Sequence, residues 1–150
     1  MTHVLGLGEP SAGDDGIGHA VVEALRGRLD AHATVSTARD ASALIDALLG
    51  DQPVILVDAL VDAAPPGTVR MLTEADLDGP GQVFSTHAMT VPQAVGVARA
   101  LGATAHLQIV AIVVPPPVGL RDTLSPPVAA AVPRAADAVL VLLARSVPHA

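Results

Sequence analysis

The chain has 150 residues and a formal net charge of −7, with 15 acidic side chains against 8 basic ones and no basic run to neutralise phosphates; it holds one Phe and no Trp or Tyr to stack on bases, so nucleic acid is excluded as the expected partner. It has no cysteine, which excludes disulfides, a thiol nucleophile and thiolate metal sites, so any metal meets only nitrogen and oxygen ligands. Residues 1–150 fit one domain that buries roughly 68–70% of its unfolded surface, and the 51% hydrophobic content puts Ala, Val, Leu and Ile in the core.

The first residues, Met1-Thr2-His3-Val4-Leu5-Gly6, lack a basic leader, and their apolar stretch stops at Leu7, so the expected location is the cytoplasm. Residues 4–7 read as a first strand. Residues 15–29 read as a helix with Ile17, Val21, Ala24, Leu25 and Leu29 at helical spacing. A second strand is expected over 34–37 and a second helix over 41–49, stopped by Gly50. Residues 53–58 form an apolar run ending in Asp58, as expected of a parallel strand covered on both faces. After the turn Pro65-Pro66-Gly67, residues 68–72 form a short strand returning antiparallel, because the connection is too brief for a crossover helix.

Residues 73–86 read mostly as loop, and 90–101 as a third helix that Thr90 can cap, with Pro92 tolerated in the first turn. Residues 100–120 carry no formal charge, but His106, Gln108 and Pro115-Pro116-Pro117 interrupt them, so a buried strand over 106–114 and a stiff loop over 115–123 are expected in place of a membrane span. A last helix over 125–146 contains Pro133, which should kink it. Strands alternating with helices imply a three-layer α/β/α sandwich.

In such a sheet ligands bind beyond the carboxyl ends of the strands, where connections diverge. Asp14 and Asp15 after the first strand, Asp58 at the end of the third and His87 before the third helix fall there. Carboxylates and an imidazole suit a divalent metal such as Ni, Zn, Cu or Mn, and without a metal the same groups can act as acid and base. Plain structural roles compete: Asp14 or Asp15 as a helix cap, Asp58 as a polar strand end, and His87 as a loop histidine. His19, four residues after Asp15, is a rival ligand on the same expected helix face. Gly6 and Gly8 between strand and helix also allow a nucleotide-binding loop, but Ser11 stands where a dinucleotide fingerprint needs its third glycine. Turning alone would equally account for Gly6, Gly8, Gly13, Gly16 and Gly18.

The run Gly6-Leu7-Gly8-Glu9-Pro10-Ser11-Ala12-Gly13-Asp14-Asp15-Gly16-Ile17-Gly18, then Val57-Asp58-Ala59, Ser85-Thr86-His87 and Leu124-Ser125-Pro126-Pro127-Val128, resembles the hydrogenase maturation endopeptidases over nearly the whole chain. These enzymes remove the C-terminal extension of the large subunit of nickel–iron hydrogenases. The resemblance implies a twisted, mostly parallel five-stranded sheet with one antiparallel strand. It also implies that Asp15, Asp58 and His87 contact the metal, while Gly6, Gly8 and Gly13 shape the loop. The nickel would be carried by the precursor, with no tightly bound cofactor of the chain's own. Two positions depart from the pattern: Glu9 stands where Asn is common, and Val113-Val114-Pro115-Pro116-Pro117 lacks an acid that many members carry there. A non-catalytic α/β module that holds a nucleotide or a metal is the competing expectation.

Overall fold

A computed structural model describes residues 1–78, 83–84, 89–116 and 123–146. The strands are β1 (Thr2–Leu7), β2 (Ala33–Ala38), β3 (Val54–Val61), β4 (Val69–Thr73), β5 (Val83–Phe84) and β6 (Leu107–Val114). The helices are α1 (Ile17–Leu25), α2 (Ser42–Leu48), α3 (Val91–Ala100) and α4 (Pro126–Ser146), with 3₁₀ turns over Gly13–Gly16 and Glu74–Asp78.

The sheet runs β2-β1-β3-β6-β4. β1 is parallel to β2 and β3, and β3 is parallel to β6. β4 alone on this path is antiparallel, Val69 pairing Ile112 and Thr73 pairing Gln108, as the short connection after β3 dictates. The two-residue β5 adds an antiparallel patch on Leu60 and Val61 of β3. β3 and β6 are apolar nearly throughout because both of their faces are covered. On one face Leu56, Leu60 and Ile109 pack under Leu44 and Leu48 of α2 and Val91, Ala94 and Ala98 of α3. On the other, Ile55, Val57 and Ile112 meet Ile17, Val21 and Leu25 of α1 and Val128, Ala131, Ala135 and Val139 of α4. Three layers result, as the alternation of elements predicts. α4 is long and apolar enough by length and composition to cross a bilayer, but this inner stripe packs on α1 and the sheet.

Some boundaries differ from the sequence expectation. α1 starts at Ile17, not at residue 15, and ends at Leu25, where Arg26 adopts an extended backbone. β3 does not stop at Asp58; it continues to Val61 because β6 pairs it along its whole length. The stretch read as loop over 73–86 contains a 3₁₀ turn and β5. The base of that stretch is tied by Arg99 of α3, which donates to both carboxylate oxygens of Glu74 and to the carbonyls of Ala103, at 3.0 Å, and Ala105, at 2.7 Å. The Arg99 hydrogen bond holds the Glu74 carboxyl below its ordinary value. Thr90 caps α3 as expected, and Gln93 completes a capping box.

α1 lies unusually close to β1 and β3. A Cβ on Gly18 would collide with the carbonyl oxygen of Leu7 and stand 2.7 Å from that of Val57; one on Gly6 would stand 2.5 Å from the carbonyl oxygen of Gly18. Gly18→Ala is therefore expected to destabilise the fold by about 1–3 kcal/mol, read as a lower urea midpoint at unchanged m-value. Gly96→Ala, on the exposed side of α3 with nothing within 4 Å of the new methyl, should stabilise by about 0.5–1 kcal/mol in the same assay.

Candidate functional site

The chain leaves β1, forms α1 and returns to β2 on one side, then forms α2 and returns to β3 on the other. The carboxyl ends of β1 and β3 are thus the point where connections diverge, the usual place for a site in an open α/β sheet. β1 ends at Leu7, its last partner on β3 being Val57 opposite Gly6. From Asp58 onward β3 has lost this neighbour until β5 joins at Leu60. Asp58 sits in that interval.

By strand alternation Asp58 points to the same face as Leu56 and Leu60, and it is wholly buried. Its Oδ1 accepts the Ala59 amide at 2.8 Å. Its Oδ2 has no hydrogen-bond partner among the described residues. Burial pushes the Asp58 carboxyl well above the ordinary carboxylate range; the amide hydrogen bond opposes this, and the nearby charge of Asp15 reinforces it.

Asp15 reaches this position from the 3₁₀ turn Gly13–Gly16. Gly8 adopts φ +134°, where a side chain would be strained, and a Cβ there would collide with the Asp15 carbonyl. The turn consequently folds back over the end of β1, and Asp15 Oδ2 accepts the Glu9 amide at 2.7 Å. Neither acid caps α1, whose N-cap is Gly16 without a side-chain hydrogen bond. Asp14 instead reaches across the fold: its Oδ1 accepts the Ser125 amide at 2.6 Å, and the Ser125 hydroxyl lies 3.0 Å from Oδ1 and 2.9 Å from Oδ2. Sequence spacing gives no sign of this contact between residues 111 positions apart.

His19 does not form the Asp15-x-x-x-His19 clamp. Asp15 precedes α1, so the helical spacing does not apply, and the His19 Nε2 bonds the Ala38 carbonyl at 3.1 Å. Glu9, the acid at the rim, is engaged by the Ser11 hydroxyl at 2.8 Å and by Arg39 at 3.5 Å. His87 lies outside the described residues. The described positions flanking it are Phe84, paired with Leu60 two residues past Asp58, and Met89, packed on the core beneath α3. Among the described residues no group of three His, Asp or Glu side chains is arranged to hold a metal. The close contacts of Gly6, Gly8 and Gly18 are with the protein's own backbone, so these glycines serve helix-on-strand packing, not a phosphate cradle.

A mostly parallel α/β sandwich with acids at its topological switch point is a framework on which enzymes of the α/β class build their sites. A family model described as hydrogenase maturation protease matches residues 20–142, and the chain belongs to that family. The fold agrees with solved structures. The hydrogenase maturating endopeptidase HybD from Escherichia coli is 24% identical, covering 97% of this chain and 93% of its own, with TM-score 0.78. The [NiFe] hydrogenase maturation protease HybD from Thermococcus kodakarensis is 21% identical over 95% of this chain and 98% of its own, with TM-score 0.77. The HycI protease of the same organism is 20% identical over 95% and 92%, with TM-score 0.70. Comparison with curated proteins gives no match.

The raised proton affinity of Asp58 carries a stability prediction. Its folded value lies above its unfolded value of about 3.9, so between those values the native state binds more protons than the unfolded chain and stability falls as pH rises. The stability difference between the wild type and Asp58→Asn, from urea titrations between pH 4 and 8, should turn against the wild type as pH rises, by up to about 1.4 kcal/mol per pH unit. A difference that does not vary with pH would show Asp58 to be ordinarily solvated.

Proposed function

We propose that this protein is a cytoplasmic processing endopeptidase that removes the C-terminal extension of a nickel–iron hydrogenase large-subunit precursor after nickel insertion. In this reading Asp15, Asp58 and His87 are the metal-contacting and catalytic residues, and Gly6, Gly8 and Gly13 shape the turn that presents Asp15. The observation that carries it is the buried Asp58, with one carboxylate oxygen lacking a hydrogen-bond partner among the described residues and a second acid, Asp15, close enough to raise its proton affinity. A buried carboxylate beside a second acid is unfavourable by itself, and a cation arriving between the two would relieve it.

Here the cation is the nickel carried by the precursor, so the protein needs no tightly bound cofactor of its own. Carboxylate oxygens and an imidazole suit a divalent first-row metal. The flanks of the segment bearing His87, at Phe84 and Met89, lie against β3 and the core beneath α3, which supports delivery of the imidazole to the same mouth. Burial raises the proton affinity of Asp58, and the charge of an arriving cation would favour its ionised form. Loading of the precursor is thereby coupled to the charge state of the acids, and anchoring the metal fixes the scissile peptide next to them. Glu9 and Arg39, paired at the rim, belong to the surface the folded precursor would meet.

The test mixes the pure protein with nickel-loaded and nickel-free precursor and follows loss of the C-terminal peptide by mass. Cleavage is expected with the loaded precursor only; equal cleavage of both would refute metal sensing. Asp15→Asn, Asp58→Asn and His87→Gln should each abolish processing while leaving the circular dichroism spectrum intact.

A further inference from the structure

The two adjacent acids of the glycine-rich turn have different surroundings. Asp15 Oδ2 accepts the Glu9 amide at the end of β1, whereas both carboxylate oxygens of Asp14 are engaged by Ser125. Ser125 immediately precedes α4, so the Asp14 carboxylate also sits at the positive end of a 21-residue helix. The start of α4 is gripped from another side. Arg134 donates to the Gly67 carbonyl at 2.8 Å, and a Cβ on Gly67 would stand 2.5 Å from the Pro127 carbonyl oxygen. α4 is thus a fixed wall, packed along its length on α1 and the sheet. The turn bearing Asp15, by contrast, is a single 3₁₀ turn with no side-chain cap, entered through Gly13 at φ +63°. At its two ends the Ala12 amide bonds the Glu9 carbonyl at 3.0 Å, the Asp15 amide bonds the Ala12 carbonyl at 3.3 Å and the Ile17 amide bonds the Asp14 carbonyl.

We infer that Asp14 is a positioning residue for the reaction: its carboxylate bolts the turn to α4 through Ser125 and so fixes where the Asp15 carboxylate stands relative to Asp58. Asp14 is directed to Ser125 at the start of α4 and is not among the residues read above as metal-contacting. The pair divides the labour, one acid holding the turn and its neighbour serving the site. The kinetic part of this inference rests on the protease reading above; the structural part does not.

The hydrogen bond from the Glu9 amide to Asp15 Oδ2, 2.7 Å long, reports the position of Asp15 directly. Nitrogen-15 spectra and amide exchange of the full chain should therefore respond in Asp14→Ala and Ser125→Ala. The Glu9 amide proton should move upfield and exchange about tenfold faster or more, while the amides of Leu56 and Ile109 in the sheet centre hold their positions and rates. Asp14→Asn, which keeps an oxygen for the Ser125 amide, should restore most of the Glu9 signature. If Asp14 merely caps α4, the amides of Val128 and Ala129 will change and Glu9 will not; that result overturns the inference, as does a uniform rise in exchange across the sheet in both Ala variants. With nickel-loaded precursor, turnover per folded molecule should fall about tenfold to a hundredfold in Asp14→Ala at unchanged KM, and unaltered turnover also overturns it. Failure of the wild type to cleave would refute the protease reading instead, and the Glu9 amide would still decide the bolt.

Discussion

Helix α1 can lie on β1 and β3 only because no side chain stands between them. Where Gly18 crosses Leu7 and Val57, and where Gly6 faces the Gly18 carbonyl, backbone meets backbone at distances that a single methyl would forbid. This contact sets the height of the helix over the sheet and the path of the turn that leads into it. Gly8 then reverses the chain over the end of β1, using a φ of +134°. Asp15 arrives at the mouth between β1 and β3 as a consequence of that packing. Ser125 and Asp14 secure the same turn from the α4 side.

Asp58 is the counterpart on the sheet, and it runs against the preference of its surroundings. A carboxyl group in the middle of a buried strand, with one oxygen unpartnered among the described residues, lowers stability wherever it must be charged. The apolar layers on both faces of β3 offset this, and they also keep the position buried. Perturbed acids in such an environment are characteristic of working sites, because a group held away from its preferred charge state responds strongly to an arriving cation. Family membership identifies the work as hydrogenase maturation.

Much of this was legible in the chain. The apolar runs of β3 and β6, the helical spacing in α1 and the brief link before β4 fixed the layers and the one reversed strand of the main path, because each is a local consequence of pattern and connection length. Asp58 was visible as an acid closing an apolar run, although the strand continues through Ala59, Leu60 and Val61, themselves apolar. The extent of β3 depends on β6 as its neighbour, which no local pattern reveals. The same holds for β5, two residues recruited by the edge of β3 that β1 leaves open. As helix caps Asp14 and Asp15 are interchangeable in sequence, yet neither caps α1, and Asp14 is set apart by its bond to Ser125, a contact made only in the folded chain. His19 pairs with Asp15 only if both stand on one helix, and Asp15 precedes α1.

The convergence of Asp15, Asp58 and His87 on one cation is the claim on which the functional reading rests. A crystal of the protein soaked in cadmium or nickel, with the ion located by anomalous scattering, tests it most directly. The expected result is a single strong site between the Asp15 and Asp58 carboxylates with the His87 imidazole as a ligand. An ion bound elsewhere, or one at the acid pair with His87 turned away and taking no part, would contradict it.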